Sequence, residues 1–194
     1  MSHWYNYPFI LILTAGLFLL LVSDSRKMIL IAFGSVLLMA FVVNIQFWPF
    51  TFSLSKLVTG TMAIVILHFS PVMTPSQSVL GTGKTGKVFR ATALVFGFVL
   101  IGFSVSTVST FLSINPEQIL LSLFMMACGF IQLGISQNPY RVFLGLITLF
   151  QGFEIIYGSL ESSLLINGML AAVDLLIAFV GSYLITNSLK DEEE

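Results

Sequence analysis

Two apolar stretches near the C-terminus, residues 142–160 (VFLGLITLFQGFEIIYGSL) and 164–188 (LLINGMLAAVDLLIAFVGSYLITNS), decide the fold class. Each is close to the roughly 20 residues that an α-helix needs to cross the hydrocarbon core of a bilayer. Glu154 lies within the first stretch and Asp174 within the second. An ionisable side chain at membrane depth costs about 2.5–3.5 kcal/mol on insertion scales, so the two carboxylates predict a functional site inside the membrane.

The composition of the whole chain agrees with this assignment. Of its 194 residues, 57% are hydrophobic and 9% are charged, whereas a soluble domain has about 25% charged residues. The chain is therefore predicted to be an all-α integral membrane protein surrounded by lipid. A net charge of −1 argues against a nucleic-acid partner. Cys128 is the only cysteine, which excludes an internal disulfide.

The hydropathy pattern predicts seven transmembrane helices. The first apolar run lacks a basic n-region and an obvious cleavage site, so we expect a retained span and not a cleavable signal. The predicted spans are Pro8–Ser23, Met28–Trp48, Leu54–Met73, Val88–Phe111, Pro116–Ser136, Val142–Leu160 and Leu164–Ser188.

The basic residues orient these spans. All but Lys56 fall on one side of a seven-span arrangement, which the positive-inside rule makes cytoplasmic. The N-terminus is then outside, the C-terminus is cytoplasmic, and the protein is a multi-pass protein of the cytoplasmic (inner) membrane. The residues on the cytoplasmic side are Arg26, Lys27, Lys84, Lys87, Arg90, Arg141 and Lys190.

A predicted cytoplasmic loop at residues 74–87 separates an N-terminal three-helix segment (1–73) from a C-terminal four-helix segment (88–194). The loop contains GTGKTGK at residues 81–87, which matches most of a phosphate-binding P-loop. Val88 stands where that motif needs a hydroxyl for magnesium, and no strand is predicted before it. We interpret the segment as a basic loop and not a nucleotide site.

Asp174 lies on a face of small and polar residues that recur at three- and four-residue intervals. Small residues let a neighbouring helix approach closely, so we expect Asp174 to point into the bundle. A proton relay and a neutral, hydrogen-bonded packing carboxyl both fit this position. The face consists of Asn167, Ala171, Asp174, Ala178 and Gly181.

Glu154 has Gln151 one turn before it and Gly158 one turn after it. It is predicted to lie nearer the outer surface than Asp174, so a relay role and a water-exposed role both stay open. Lys56 lies near the outer end of the third span, where we expect its side chain to snorkel outward.

Three further polar side chains lie in predicted spans. His68, near the cytoplasmic end of the third span, can change charge near neutral pH, although a simple hydrogen bond at the interface also fits. Gln132 and Asn44 can hold water or bond across helices. No metal-ligand spacing, cofactor motif or nucleophile motif accompanies them, so no enzyme active site is predicted.

The C-terminal third resembles the hydrogenase-4 component E family, whose last spans are similar to the K subunit of respiratory complex I. The resemblance rests on SQNPYRVFLG (136–145), on QG (151–152) and on LLINGMLAAVDLLIAFVGSYLI (164–185). It covers about the last 55 residues well and the rest in span count and orientation. It implies a functional carboxylate at Asp174, and Arg141 and Gly145 fit the start of the preceding span.

Two positions depart from the family pattern. The glutamate of the family's sixth span falls on Phe150 here, with Glu154 one turn further along. The lysine of its third span falls near Gly60, with Lys56 one turn earlier.

Together these features predict a non-catalytic, cofactor-free membrane subunit of a hydrogenase- or complex I-like ion-translocating complex with antiporter-like partner subunits. The predicted proton path consists of Asp174, Glu154, His68 and Lys56, supported by Asn167, Gln151 and Gln132. The alternatives are a structural or assembly subunit and a small independent transporter. The lack of an internal repeat and of a broken helix pair speaks against a transporter.

Overall fold

The computed structural model describes residues 7–23, 25–70, 84–136, 138–161 and 163–190, and in these ranges it contains seven α-helices and no strand. Every predicted span corresponds to a helix. The helices are α1 (Tyr7–Val22), α2 (Arg26–Asn44), α3 (Phe50–Phe69), α4 (Lys84–Leu112), α5 (Pro116–Ile135), α6 (Pro139–Leu160) and α7 (Leu164–Lys190).

Helices α2 to α7 are each long and apolar enough to cross a membrane. Helix α1 is apolar but has 16 residues, which gives a length of about 24 Å against a hydrocarbon core of about 30 Å. The fold is therefore all-helical with the character of a multi-pass membrane protein. The count of seven spans and the orientation of the chain stay predictions.

Several boundaries differ from the expectation by up to four residues: α2 ends at Asn44 and not at Trp48, and α3 begins at Phe50 and not at Leu54. Helix α4 begins at Lys84 and not at Val88, so the last residues of GTGKTGK form its first turn. The predicted loop was extended too far because Gly and Thr favour loops in sequence, although a following apolar helix can incorporate them. The other residues of that loop, 74–83, lie outside the described residues.

Asparagine and proline determine where two of the helices begin. The Asn115 side chain accepts a hydrogen bond from the backbone N–H of Glu117 at 3.1 Å, and Pro116 follows as the first helical residue. The Asn138 side chain accepts one from Tyr140 N–H at 3.0 Å, followed by Pro139. Both helices therefore begin with a side-chain cap followed by a proline, which has no backbone N–H that would need a hydrogen-bond acceptor.

Arginines tie the ends of neighbouring helices together. Arg26, at the start of α2, donates to the carbonyl oxygens of Leu67, His68 and Ser70 at 2.6–2.7 Å, where α3 ends. Arg141, at the start of α6, donates to the last carbonyls of α1 and its following turn. Cations stabilise helix C-termini, whose carbonyls lack partners within the helix. We call this end of the bundle the Arg26 end.

At the opposite end, α2 joins α3 through residues 45–49, and α6 ends nearby. The Trp48 indole N–H donates to the Ser159 hydroxyl oxygen at 3.2 Å. Gly158 faces the same indole ring, since a Cβ placed there would lie 2.9 Å from Trp48 Cζ2. We call this the Trp48 end.

Packing joins the two predicted segments of the chain into one bundle. Helices α5 and α6 form the most extensive pair, and α3 of the N-terminal segment packs along α7 of the C-terminal segment. Glycines permit the α5–α6 approach: a Cβ at Gly129 would lie 2.6 Å from Leu149 Cβ and 2.7 Å from the Gly145 carbonyl oxygen. Such distances leave no room for any side chain.

We expect Gly129→Ala to destabilise the bundle by about 1–3 kcal/mol, because the added methyl forces α5 and α6 apart. Gly134→Ala on the same helix is the matched control, since its Cβ meets nothing within 4 Å and alanine favours helix. Unfolding in a denaturing detergent titration measures both. Equal stability of the two variants would contradict the packing account.

Candidate functional site

A buried ion pair connects α3 to α6. Lys56 Nζ donates to Glu154 Oε1, and the two side chains are 15% and 1% exposed. The expectation that Lys56 snorkels outward is therefore wrong. Its side chain turns into the bundle because a carboxylate lies within reach there and offsets the cost of leaving water. Glu154 is also buried, so it does not lie at the outer surface of the bundle.

Asp174 lies on α7 and is fully buried, which confirms the prediction that it points into the bundle. It lies within electrostatic range of Glu154, Lys56 and Gln151. Neither of its carboxyl oxygens has a hydrogen-bond partner among the described residues, and neither does Glu154 Oε2. We call Lys56, Glu154 and Asp174 the charged triad.

The helix register sets the depth of the triad. Lys56 lies six residues after the start of α3 and Glu154 six residues before the end of α6. At 1.5 Å per residue, both are about 9 Å from the Trp48 end, and Asp174 is about 15 Å from the start of α7. The ion pair therefore lies nearer the Trp48 end, and Asp174 lies deeper.

A glycine lets the helices meet at this depth. A Cβ at Gly60 would lie 2.9 Å from Gln151 Nε2 and 2.8 Å from Leu37 Cδ1. Gly60 thus leaves the space that the Gln151 amide occupies beside the triad. On the other side of α6, the Ser122 hydroxyl donates to the Gly152 carbonyl at 2.7 Å, which joins α5 to the same turn.

A pocket with a cavity volume of about 30 Å³ lies between α2, α3, α5 and α6 and reaches the ion pair from the Trp48 end. Its polar lining consists of Asn44, Ser53, Lys56, Gln151 and Glu154. Leucine, alanine and aromatic side chains form most of the remaining wall, with Phe41 and Trp48 among them. The ion pair is therefore buried from lipid but borders a cavity.

The other predicted site residues lie elsewhere. His68 is exposed at the Arg26 end, with its ring against Phe69, twelve residues or about 18 Å along α3 from Lys56. Gln132 donates through Nε2 to the Arg141 carbonyl at 2.9 Å, at the same end. Asn167 lies near the start of α7 and is half-buried. The structure brings Gln151 to the triad, but not His68 or Gln132.

Ser53 was not predicted as a site residue, although it is 1% exposed and lines the pocket. The available signal was its spacing, because it precedes Lys56 by three residues and such residues share a helix face. Among the described residues, no three His, Cys, Asp or Glu side chains come together as metal ligands.

No protein-family model, curated protein or solved structure matches this chain. The resemblance to hydrogenase-4 component E therefore stays a prediction.

We expect Lys56→Met to reduce the free energy of unfolding by about 3 kcal/mol, because it leaves two buried carboxyl groups without a cation. Glu154→Gln should cost about half as much, because Lys56 can then interact with Asp174. The measurement is detergent unfolding at neutral pH.

Lys27→Met is the control for charge removal, since Lys27 is exposed on α2, and a change within about 0.5 kcal/mol is expected there. If Lys56→Met were as mild as this control, the ion pair would not stabilise the fold.

Proposed function

We propose that this chain is a non-catalytic membrane subunit of a hydrogenase- or complex I-like ion-translocating complex, and that its charged triad is a proton relay. The observation that carries the proposal is the charge balance of the triad: one ammonium and two carboxyl groups share a buried site. Buried charges are stable only when they are balanced, and a group at membrane depth is a functional candidate by default.

The triad has one more acidic group than basic groups. With Lys56 charged, the electrically neutral state holds one proton on the two carboxyl groups. Adding or removing a single proton changes the net charge in a medium of low dielectric, where such changes act strongly on neighbouring groups. A site of this kind responds to a charge or hydration change nearby by taking up or releasing one proton.

The two departures from the family pattern support the same proposal. Lys56 lies one turn from the family's lysine position at Gly60, and Glu154 lies one turn from its glutamate position at Phe150. Because α3 and α6 are antiparallel, both displacements lead toward the Trp48 end. The two displaced residues pair with one another, about 6 Å along the axis from the depth that the resemblance implies.

A structural or assembly subunit is the second candidate function. Helices α4 and α7 favour it, because they expose large apolar side chains along much of their length, among them Phe96, Phe103, Phe111 and Phe179. Partner membrane subunits and lipid are both compatible with such faces. In this case the ion pair serves only to hold α3 against α6.

Proton movement distinguishes the two candidates. We expect Asp174→Asn in the intact complex to reduce proton movement in reconstituted vesicles by about tenfold or more, because the amide cannot exchange a proton. Asp174→Glu should retain part of the activity. Glu161→Gln is the control, since Glu161 is an exposed carboxylate beyond the end of α6.

Undiminished proton movement by a fully assembled Asp174→Asn complex would exclude the relay and leave the structural function. Purification in mild detergent, followed by identification of the co-purifying subunits, tests the proposed antiporter-like partners. A monomer that transports ions alone would contradict the subunit assignment.

A further inference from the structure

The pocket is lined by buried polar atoms that lack protein partners. Asn44 Oδ1, Ser53 Oγ, Gln151 Nε2 and Glu154 Oε2 have no hydrogen-bond partner among the described residues. All four belong to side chains that are 6% exposed or less, and all four residues line the same pocket. They come from three different helices, α2, α3 and α6, and lie around one pocket.

Unpartnered buried polar atoms are costly, at about 1–3 kcal/mol each, and native proteins leave few of them. Four such atoms together in a cavity without water would carry a large penalty. Water removes it where a cavity is polar and has room for the molecule, at about 30 Å³ of liquid volume per water and with two to four polar partners. The part of the pocket that water-sized molecules can occupy is about 30 Å³, whereas one water needs about 10–15 Å³ by the same measure, so there is room for about two waters.

The opposite side of the triad has a different lining. Ala63 on α3, Ile147 on α6 and Ala178 on α7 are fully buried apolar residues one to two turns closer to the Arg26 end. Leu67 and Leu144 follow one turn further and are also fully buried. The nearby Thr148 hydroxyl is occupied, since it donates to the Leu144 carbonyl at 2.7 Å. The side chains of Ala63, Ile147 and Ala178 offer water no hydrogen-bond partner.

We infer that the pocket is a water-filled vestibule that reaches the charged triad from the Trp48 end alone, and that the layer of Ala63, Ile147 and Ala178 closes the triad to water from the Arg26 end. Lys56 and Glu154 are the members of the triad that line this pocket, and Asp174 lies behind them. This part of the inference rests on the proposed function. A proton that enters from the Trp48 side reaches Lys56 and Glu154 before it reaches Asp174.

Cysteine accessibility tests the vestibule directly. Ser53→Cys and Ala63→Cys, each in a Cys128→Ala background, are matched variants: both positions lie on α3, and the side chains are 1% and 0% exposed. A charged, membrane-impermeant methanethiosulfonate should modify Ser53→Cys at least about tenfold faster than Ala63→Cys, because only a thiol that water reaches can react.

Sidedness is read in sealed vesicles of the full chain. Gln46→Cys marks the Trp48 end and Ser25→Cys marks the Arg26 end, since both positions are exposed. The reagent should reach Ser53→Cys only from the side on which it reaches Gln46→Cys. Ala40→Cys, on the pocket wall formed by α2, should behave like Ser53→Cys and serves if that variant does not insert.

Slow modification of both Ser53→Cys and Ala40→Cys would show a dry pocket and overturn the inference. Rapid modification of Ala63→Cys from the Arg26 end would overturn the seal. Neither result depends on proton movement, so a hydrated vestibule combined with an inactive relay would refute the proposed function and leave the inference intact.

Discussion

The pairing of Lys56 with Glu154 is the contact on which the interior of this bundle depends. An ammonium group in an apolar environment needs a partner of opposite charge within reach, and that requirement sets which faces of α3 and α6 are turned toward each other. Once these faces meet, Gly60 and Gln151 oppose one another. Helix α7, which packs against both α3 and α6, then places Asp174 beside the pair. One electrostatic constraint therefore organises three helices from both halves of the chain.

Small residues are the second condition for this arrangement. Neighbouring helix backbones can approach closely only where the residues at the contact are small, and glycine permits the closest approach. Gly181 on α7 illustrates it, since a Cβ there would lie 2.7 Å from the Phe143 ring. The face of α7 that carries Ala178 and Gly181 is thus a packing surface, and Asp174 is the one ionisable group set into it.

The two ends of the bundle have different polar chemistry. At the Arg26 end, the arginine side chains bond to backbone carbonyls and hold helix ends together. At the Trp48 end, polar side chains surround a pocket and their atoms lack protein partners. Buried polar atoms without a described partner occur at the Arg26 end as well, among them Ser70 Oγ, Gln132 Oε1 and Tyr140 Oη. What distinguishes the Trp48 end is a pocket that reaches the charged triad. This difference gives the proposed relay a direction that symmetric helix packing would not provide.

The sequence alone determined the elements of the fold and the orientation of one site residue. Long apolar runs form helices because lipid offers the backbone no hydrogen-bond partners, and a helix pairs its N–H and C=O groups within the segment. The regular small-residue spacing on α7 predicted that Asp174 points inward. Only the tertiary structure decided the direction of Lys56, since a lysine near a helix end can either reach water or turn inward. That choice depended on Glu154, 98 residues away along the chain, and spacing within one helix carries no information about a partner on another.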